Sequence, residues 1–228
     1  MKITNHWVTP IAEFDLALPQ PMRQQLMALL QRKEADRDKL SESSPDFFRF
    51  MQSKQFYAST HYNLFSEANQ HPEKNAILSF ELLACNAYRQ YLRQALNIEQ
   101  ADELKLVGRC FGNVQITGGR TFPHYHQSVD HVLIHYLDIP DHNDPELGKS
   151  HRHGTHALLL QDPRGAVNYP YWEKVLSIAP YTGKTIIHPA YVWHESNPYR
   201  GQGTRMCLVV NFQIASHSYI ELHKEMRF

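Results

Sequence analysis

The chain has 228 residues, 42% of them hydrophobic, and Lys plus Arg equals Asp plus Glu at 23 each. That length and composition suit one globular unit with a full core, and a balanced charge leaves no basic field to hold a phosphate backbone, so nucleic acid is not an expected partner. No apolar run approaches a membrane span and no signal-peptide pattern opens the chain, so neither a membrane nor export is expected. Cys85, Cys110 and Cys207 are few, scattered and free of CxxC pairing, which argues against a disulfide framework or a Cys-rich zinc site and fits a reducing cytoplasm. Histidine is the unusual residue: there are 15, most of them after residue 120, and neutral imidazole is the commonest metal ligand.

Residues 7 to 17 (WVTPIAEFDLA) alternate apolar and polar side chains and read as an edge strand, where Pro10 is tolerated. From Pro19 to Lys33, Met22, Leu26, Met27, Leu29 and Leu30 recur at a helical period, with Pro21 suited to a first turn. A covering helix is expected there. Residues 34 to 54 are charged and serine-rich and read as a long solvated excursion, with Phe47, Phe48 and Phe50 as anchors to the core. The clearest helical pattern runs from 73 to 97, where Ile77, Leu78, Phe80, Leu82, Leu83, Tyr88, Tyr91 and Leu92 belong to one broad apolar face suited to packing on a sheet.

After residue 100 the period changes from helical to alternating. Strand-like runs occupy 104–116, 131–139, 156–161, 174–179, 183–188 and 205–214, with a short piece at 121–126, and Gly118-Gly119, Pro140-Asp141 and Gly201-Gln202-Gly203 mark turns between them. Helices followed by seven or eight such strands predict a β-sandwich or barrel buttressed by helices, not a βαβ fold. No internal repeat, P-loop or GxGxxG interrupts the pattern.

Two stretches carry the chemistry. In His124-Tyr125-His126 the histidines share one strand face with Cα atoms roughly 6.6 Å apart, close enough to converge on one iron or zinc ion. Asp130 has the same parity but lies about 13 Å from position 126 on an extended chain, so it reaches that ion only if the chain bends. The second stretch, Tyr191-Val192-Trp193-His194, supplies a third ligand from a distant element, and three protein ligands leave an open face, as a catalytic metal site requires. Arg205 opens RMCLVVNF, where Arg205, Cys207, Val209 and Asn211 share one face of a strand that is apolar on both faces. An arginine pointing into such an interior needs a carboxylate, because an unpaired buried charge is costly, and a dicarboxylate ligand would supply one bidentately.

Residues 7 to 214 resemble the 2-oxoglutarate- and iron(II)-dependent oxygenases, in particular a bacterial group with a double-stranded β-helix core. The resemblance rests on Thr9-Pro10-Ile11, the H-x-H followed by HVLIHYLDIP (131–140), LLLQDPRG (158–165), IAPYTGKTIIHP (178–189), Trp193-His194, and Gly203-Thr204-Arg205 leading to Asn211-Phe212, with an eleven-residue step from His194 to Arg205. It implies a jelly-roll fold, mainly β with flanking helices, as a single oxygenase domain over 1–228: a helical N-terminal portion at 1–100, the β-helix core at 101–216 and a tail at 217–228. It also implies Fe(II) on His124, His126 and His194, the distal carboxylate of 2-oxoglutarate on Arg205, and dioxygen as oxidant. The implied reaction is hydroxylation of an unactivated C–H bond of a small molecule or peptide, with release of succinate and CO2. The wider superfamily has H-x-D where this chain has His126. That departure keeps open a cupin-type three-histidine dioxygenase that does not use 2-oxoglutarate, and also a metal- or ligand-binding β-sandwich without catalysis.

Plainer readings stand beside these. Arg205 could form a structural salt bridge to Glu195 or Asp138, Asp130 could replace His126 as the second ligand, and His188 reads as a core histidine at a strand end. Tyr125, Trp193 and Asn211 adjoin the candidate ligands and are candidate pocket residues, whereas Tyr136, Tyr169, Tyr171 and Trp172 read mainly as core. His142, His151, His153 and His156 lie in a turn-rich segment that reads as a solvated loop at the mouth of the core or as a second metal site. Pairing through the edge strand at 7–17 would permit a homodimer.

Overall fold

Alternation along the second half of the chain resolves into two antiparallel sheets in the computed structural model, which describes residues 8–43, 62–140, 156–165 and 173–215. The elements are β1 (Ala12–Asp15), α1 (Gln20–Ser43), α2 (Lys74–Leu96), β2 (Leu106–Gln115), β3 (His131–Asp138), β4 (Leu158–Gln161), β5 (Val175–Ile178), β6 (Lys184–Pro189), β7 (His194–Ser196) and β8 (Arg205–Ile214). The larger sheet runs β1-β6-β3-β8-β2 and the smaller β5-β4-β7. This is the double-stranded β-helix, mainly β with flanking helices, that the family resemblance implies.

The apolar run of β8 shows why. Met206, Leu208, Val210 and Phe212 belong to a core shared with the helices, and Cys207 and Val209 to a second core shared with Val132, Ile134, Tyr136, Leu158 and Leu160. A strand covered on both faces must be apolar on both, and one strand thereby joins two cores. On the helix side, Leu26, Leu29 and Leu30 of α1 and Ile77, Phe80, Ala84, Tyr88 and Leu92 of α2 are buried. Their approach to the sheet is close at Gly112, where a Cβ would lie 2.2 Å from Leu30 Cδ2, so only glycine fits without moving that leucine.

Three local expectations change. The helix expected to end near Lys33 continues to Ser43, because the charged run after it holds no glycine or proline before Pro45 and nothing breaks the helix. Its extension takes up the first part of the expected excursion, whereas Phe47, Phe48 and Phe50 lie outside the described residues. On α2, Leu78 and Leu82 are 42% and 63% exposed, since the sheet covers one side of the helix only. The piece at 121–126 is held by an isolated bridge, not a full strand, and Pro123 within it has no N–H to extend a ladder. Among the described residues no helix is long and apolar enough to cross a membrane.

The edges are managed with side chains. β1 is a short edge strand, as expected, inside the 7–17 segment. At the opposite edge, the backbone of β2 is taken up by the 62–64 segment: Cys110 N–H donates to Asn63 Oδ1 and Gly112 N–H to the Tyr62 hydroxyl, both at 2.9 Å, and Leu64 N–H donates to Cys110 O at 2.8 Å. An edge so occupied offers little to a second sheet.

Two buried histidines of β3 face the helices. His131 Nδ1 is 2.8 Å from the Tyr88 hydroxyl, and His135 Nδ1 is 2.9 Å from Thr185 Oγ1. Burial pushes both down to about 4 from 6.5. Between those two values the unfolded chain binds more protons than the folded one, so the stability they contribute is complete above pH 6.5 and is lost as pH falls towards 4, about 3 kcal/mol for each. The thermal midpoint of the metal-free protein should therefore drop steeply across this window, and His135→Gln should flatten the slope. An unchanged slope in the variant would show that His135 is not buried in the neutral form.

Candidate metal centre

β7 makes a pairing that no local pattern announces. His194 N–H donates to His124 O at 2.8 Å and His124 N–H to His194 O at 3.0 Å, which lays the H-x-H segment against β7, while His126 N–H donates to Ala190 O at 3.0 Å just beyond β6. Backbone hydrogen bonds thus gather three histidines that are up to 70 positions apart in the chain. The ring centroids of His124 and His194 are 4.3 Å apart, those of His126 lie 5.1 Å from each, and the candidate ligand atoms of all three fall within 4.8 Å of one another.

The rings are also set in a ligating tautomer. His124 Nδ1 lies 2.8 Å from Phe122 O and His194 Nδ1 3.0 Å from Val192 O. A carbonyl oxygen only accepts, so Nδ1 carries the proton in both rings and Nε2 keeps its lone pair. Burial, with neighbouring imidazoles adding to it, pushes His126 down to about 3 and His194 well below its usual value, and burial lowers His124. At neutral pH the cluster is three uncharged donors with no proton to displace, a set that fits a borderline divalent cation such as iron(II). Behind it stands His188, as buried as a core histidine should be, its ring edge-on to His194 at 4.7 Å and its Nε2 without a partner among the described residues.

Asp130 does not join the cluster. The chain does bend between it and His126, at Ser128 with φ 60°, but the Asp130 carboxylate is spent on the sheet, where it accepts from Ile214 N–H at 2.6 Å. Trp193 is likewise absent from the cavity lining: it precedes β7, and its ring pairs with Tyr125 at 5.1 Å. His142, His151 and His153 lie outside the described residues, as do Tyr169, Tyr171 and Trp172. His156 is buried with φ 53° and packs on Tyr199 at 5.4 Å.

Arg205 is 3% exposed and faces the same cavity. The ion pairs considered from sequence are not formed: Asp138 faces Arg23 at 3.5 Å, and among the described residues no carboxylate pairs with Arg205. Its Nη1 donates instead to Gln115 Oε1 at 2.7 Å, and the guanidinium lies over the Tyr136 ring at 5.2 Å. Burial pushes the Tyr136 hydroxyl up to about 12 despite the nearby positive charge.

The three histidines and Arg205 line one cavity of about 310 Å³ between the sheets, together with Phe111, Leu158, Val209 and Asn211. Among the described residues, four buried polar atoms in its walls make no hydrogen bond: Asn113 Oδ1, the Tyr136 hydroxyl, Arg205 Nε and Asn211 Oδ1. Buried polar groups are normally satisfied, so a wall with four free ones, one on an arginine, is suited to a polar and anionic ligand. Asn113, Gln115 and Tyr136 were missed as site residues in sequence, Tyr136 being read as core. The signal for the first two was present: they sit at alternate positions with Phe111 on an inward face, polar where apolar residues are expected.

Residues 109–211 match the model of a family described as "Putative 2OG-Fe(II) oxygenase". No curated protein matches the sequence. Among solved structures the chain is similar to a Pseudomonas putida prolyl-4-hydroxylase, at 15% identity over 90% of this chain and 88% of that one with a TM-score of 0.53. It is also similar to a Trichoplax adhaerens prolyl hydroxylase solved in complex with a hypoxia inducible factor oxygen degradation domain peptide fragment, at 12% identity over 93% and 86% of the two chains with a TM-score of 0.53. A third is AviO1 from Streptomyces viridochromogenes Tue57, at 12% identity over 91% of each chain with a TM-score of 0.51. At such identities these likenesses establish the shared fold. The family match runs from β2 to Asn211 in β8 and takes in all three clustered histidines and Arg205, so over this stretch the chain is similar to the 2OG-Fe(II) oxygenases.

Proposed function

We propose that this protein is an Fe(II)- and 2-oxoglutarate-dependent dioxygenase that hydroxylates an unactivated C–H bond of a small molecule or peptide. The observation that carries the reading is a buried Arg205 that has no carboxylate partner among the described residues, in the cavity that the histidine cluster lines. Iron(II), held by His124, His126 and His194, would supply the activation of dioxygen, coupled to oxidative decarboxylation of 2-oxoglutarate; one oxygen atom goes to succinate beside CO2 and the other to the substrate carbon. Arg205 would bind the distal carboxylate and so orient the 2-oxo acid towards the cluster. The apolar walls, Phe111, Leu158 and Val209, would keep water from the reacting carbon. His126 in place of a carboxylate leaves the site one unit more positive, which favours a dianionic cosubstrate.

Three neutral histidines also suit a cupin-type dioxygenase that needs no 2-oxoglutarate. One titration separates the two. Anaerobic addition of iron(II) and then 2-oxoglutarate should produce a saturable visible charge-transfer band, and admitting oxygen should then form succinate. If iron binds and no band forms at any 2-oxoglutarate concentration, the cupin-type reading replaces this one.

A further inference from the structure

We propose that Gln115 is the specificity-determining residue that makes this site demand a carboxylate, and not an amide, at the distal end of its cosubstrate; this rests on the oxygenase reading above. Gln115 stands opposite Arg205 in the β2–β8 register, is 2% exposed, and accepts from Arg205 Nη1 at 2.7 Å. The residue that most naturally satisfies a buried arginine is a carboxylate, and glutamate would occupy the same space. It would also cancel the charge.

The neighbours of Gln115 set its amide. Its Nε2 donates to Thr121 Oγ1 at 3.1 Å, and that hydroxyl also accepts from Asn113 Nδ2 at 3.4 Å. Thr121 in turn is tied to β7, its N–H donating to Ser196 Oγ at 2.8 Å and its carbonyl accepting from Ser196 N–H at 3.1 Å. Turning the amide over would set its NH2 group against the guanidinium, donor against donor, so Oε1 stays on the arginine.

Arg205 is therefore oriented by a neutral acceptor on Nη1 and keeps its full charge. The Nε–Nη2 edge remains, with Nε buried and without a partner among the described residues. Two parallel N–H groups with uncompensated positive charge match the two oxygens of a carboxylate. A primary amide offers one oxygen, no charge, and a donor that this edge repels.

The test is binding of 2-oxoglutarate and of its 5-amide, 2-oxoglutaramate, to the anaerobic iron(II)-loaded protein, for wild type, Arg205→Ala, Gln115→Glu and the neutral isostere Gln115→Met. Iron affinity and thermal midpoint are read alongside. Gln115→Glu should weaken 2-oxoglutarate by roughly 100-fold with iron affinity unchanged, and should shrink or invert the preference for acid over amide. Gln115→Met should weaken it by only roughly 10-fold and keep the preference, because the charge survives and only the orienting acceptor is lost. Equal losses in both variants, or an acid-to-amide ratio that Gln115→Glu does not move, would overturn the proposal while leaving the oxygenase reading intact. Should the Glu variant not fold, unchanged 2-oxoglutarate affinity in Gln115→Met overturns it. A wild type that binds iron but no 2-oxoglutarate overturns both.

Discussion

His194→Ala is expected to lower iron(II) or cobalt(II) affinity by at least about 100-fold, since removing even an outer partner of a metal-bound histidine costs 10- to 100-fold. On the reading proposed here His194 is the most constrained of the three ligands: it opens β7, its backbone pairs with His124, and its Nδ1 is held by Val192 O at 3.0 Å. His126→Ala should follow it closely. Asp130→Asn provides the contrast. Its carboxylate accepts from Ile214 N–H at 2.6 Å, so that variant should keep its metal affinity and lose about 1 to 2 kcal/mol of stability with the charged acceptor. Direct metal titration and thermal unfolding of the three variants read both quantities. If Asp130→Asn loses the metal as His194→Ala does while His126→Ala keeps it, the ligand set is two histidines and a carboxylate, and the proposed centre is wrong.

Arg205→Met should reduce 2-oxoglutarate affinity by about 100- to 1,000-fold and yet leave the ligand-free protein as stable as wild type or more so. The two effects have one cause. A buried guanidinium held by a neutral amide and an aromatic face is an incompletely compensated charge, and an apolar side chain of similar length removes that burden along with the binding group. A structural arginine would behave in the opposite way, losing several kcal/mol of stability and little affinity. Calorimetric titration of the iron-loaded variant, beside thermal unfolding without ligand, separates these outcomes. A large loss of stability in Arg205→Met would count against the cosubstrate role.

The elements that the sequence identified are those whose signal is local. Period-two runs such as HVLIHYLDI are strands because alternate side chains face two different surroundings, and the helical face around Ile77, Phe80, Tyr88 and Leu92 packs on a sheet as its spacing implies. The parity of RMCLVVNF likewise put Arg205, Cys207, Val209 and Asn211 on one face, which is the face that lines the cavity. Polar residues at inward positions were the useful anomaly, noticed at Arg205 and overlooked at Asn113 and Gln115.

What the tertiary structure decided is which strand lies beside which. Whether Asp130 bends towards the histidines depends on Ser128 taking a left-handed conformation and on the end of β8 offering Ile214 N–H to its carboxylate. Whether Arg205 meets an anion or an amide depends on β2 pairing with β8 in the register that sets Gln115 against it, 90 residues away. Trp193 falls outside the cavity lining, its ring set against Tyr125, which the chain order alone does not announce. Sequence by itself determined the longer strands, their phase and the residue types available for chemistry, because those follow from the backbone's own geometry, whereas β7 and the bridge at His124 came only with the pairing. The partner of each polar side chain was set by long-range pairing, whose register is chosen by the burial of whole sheets and leaves no mark on the few residues that it brings together.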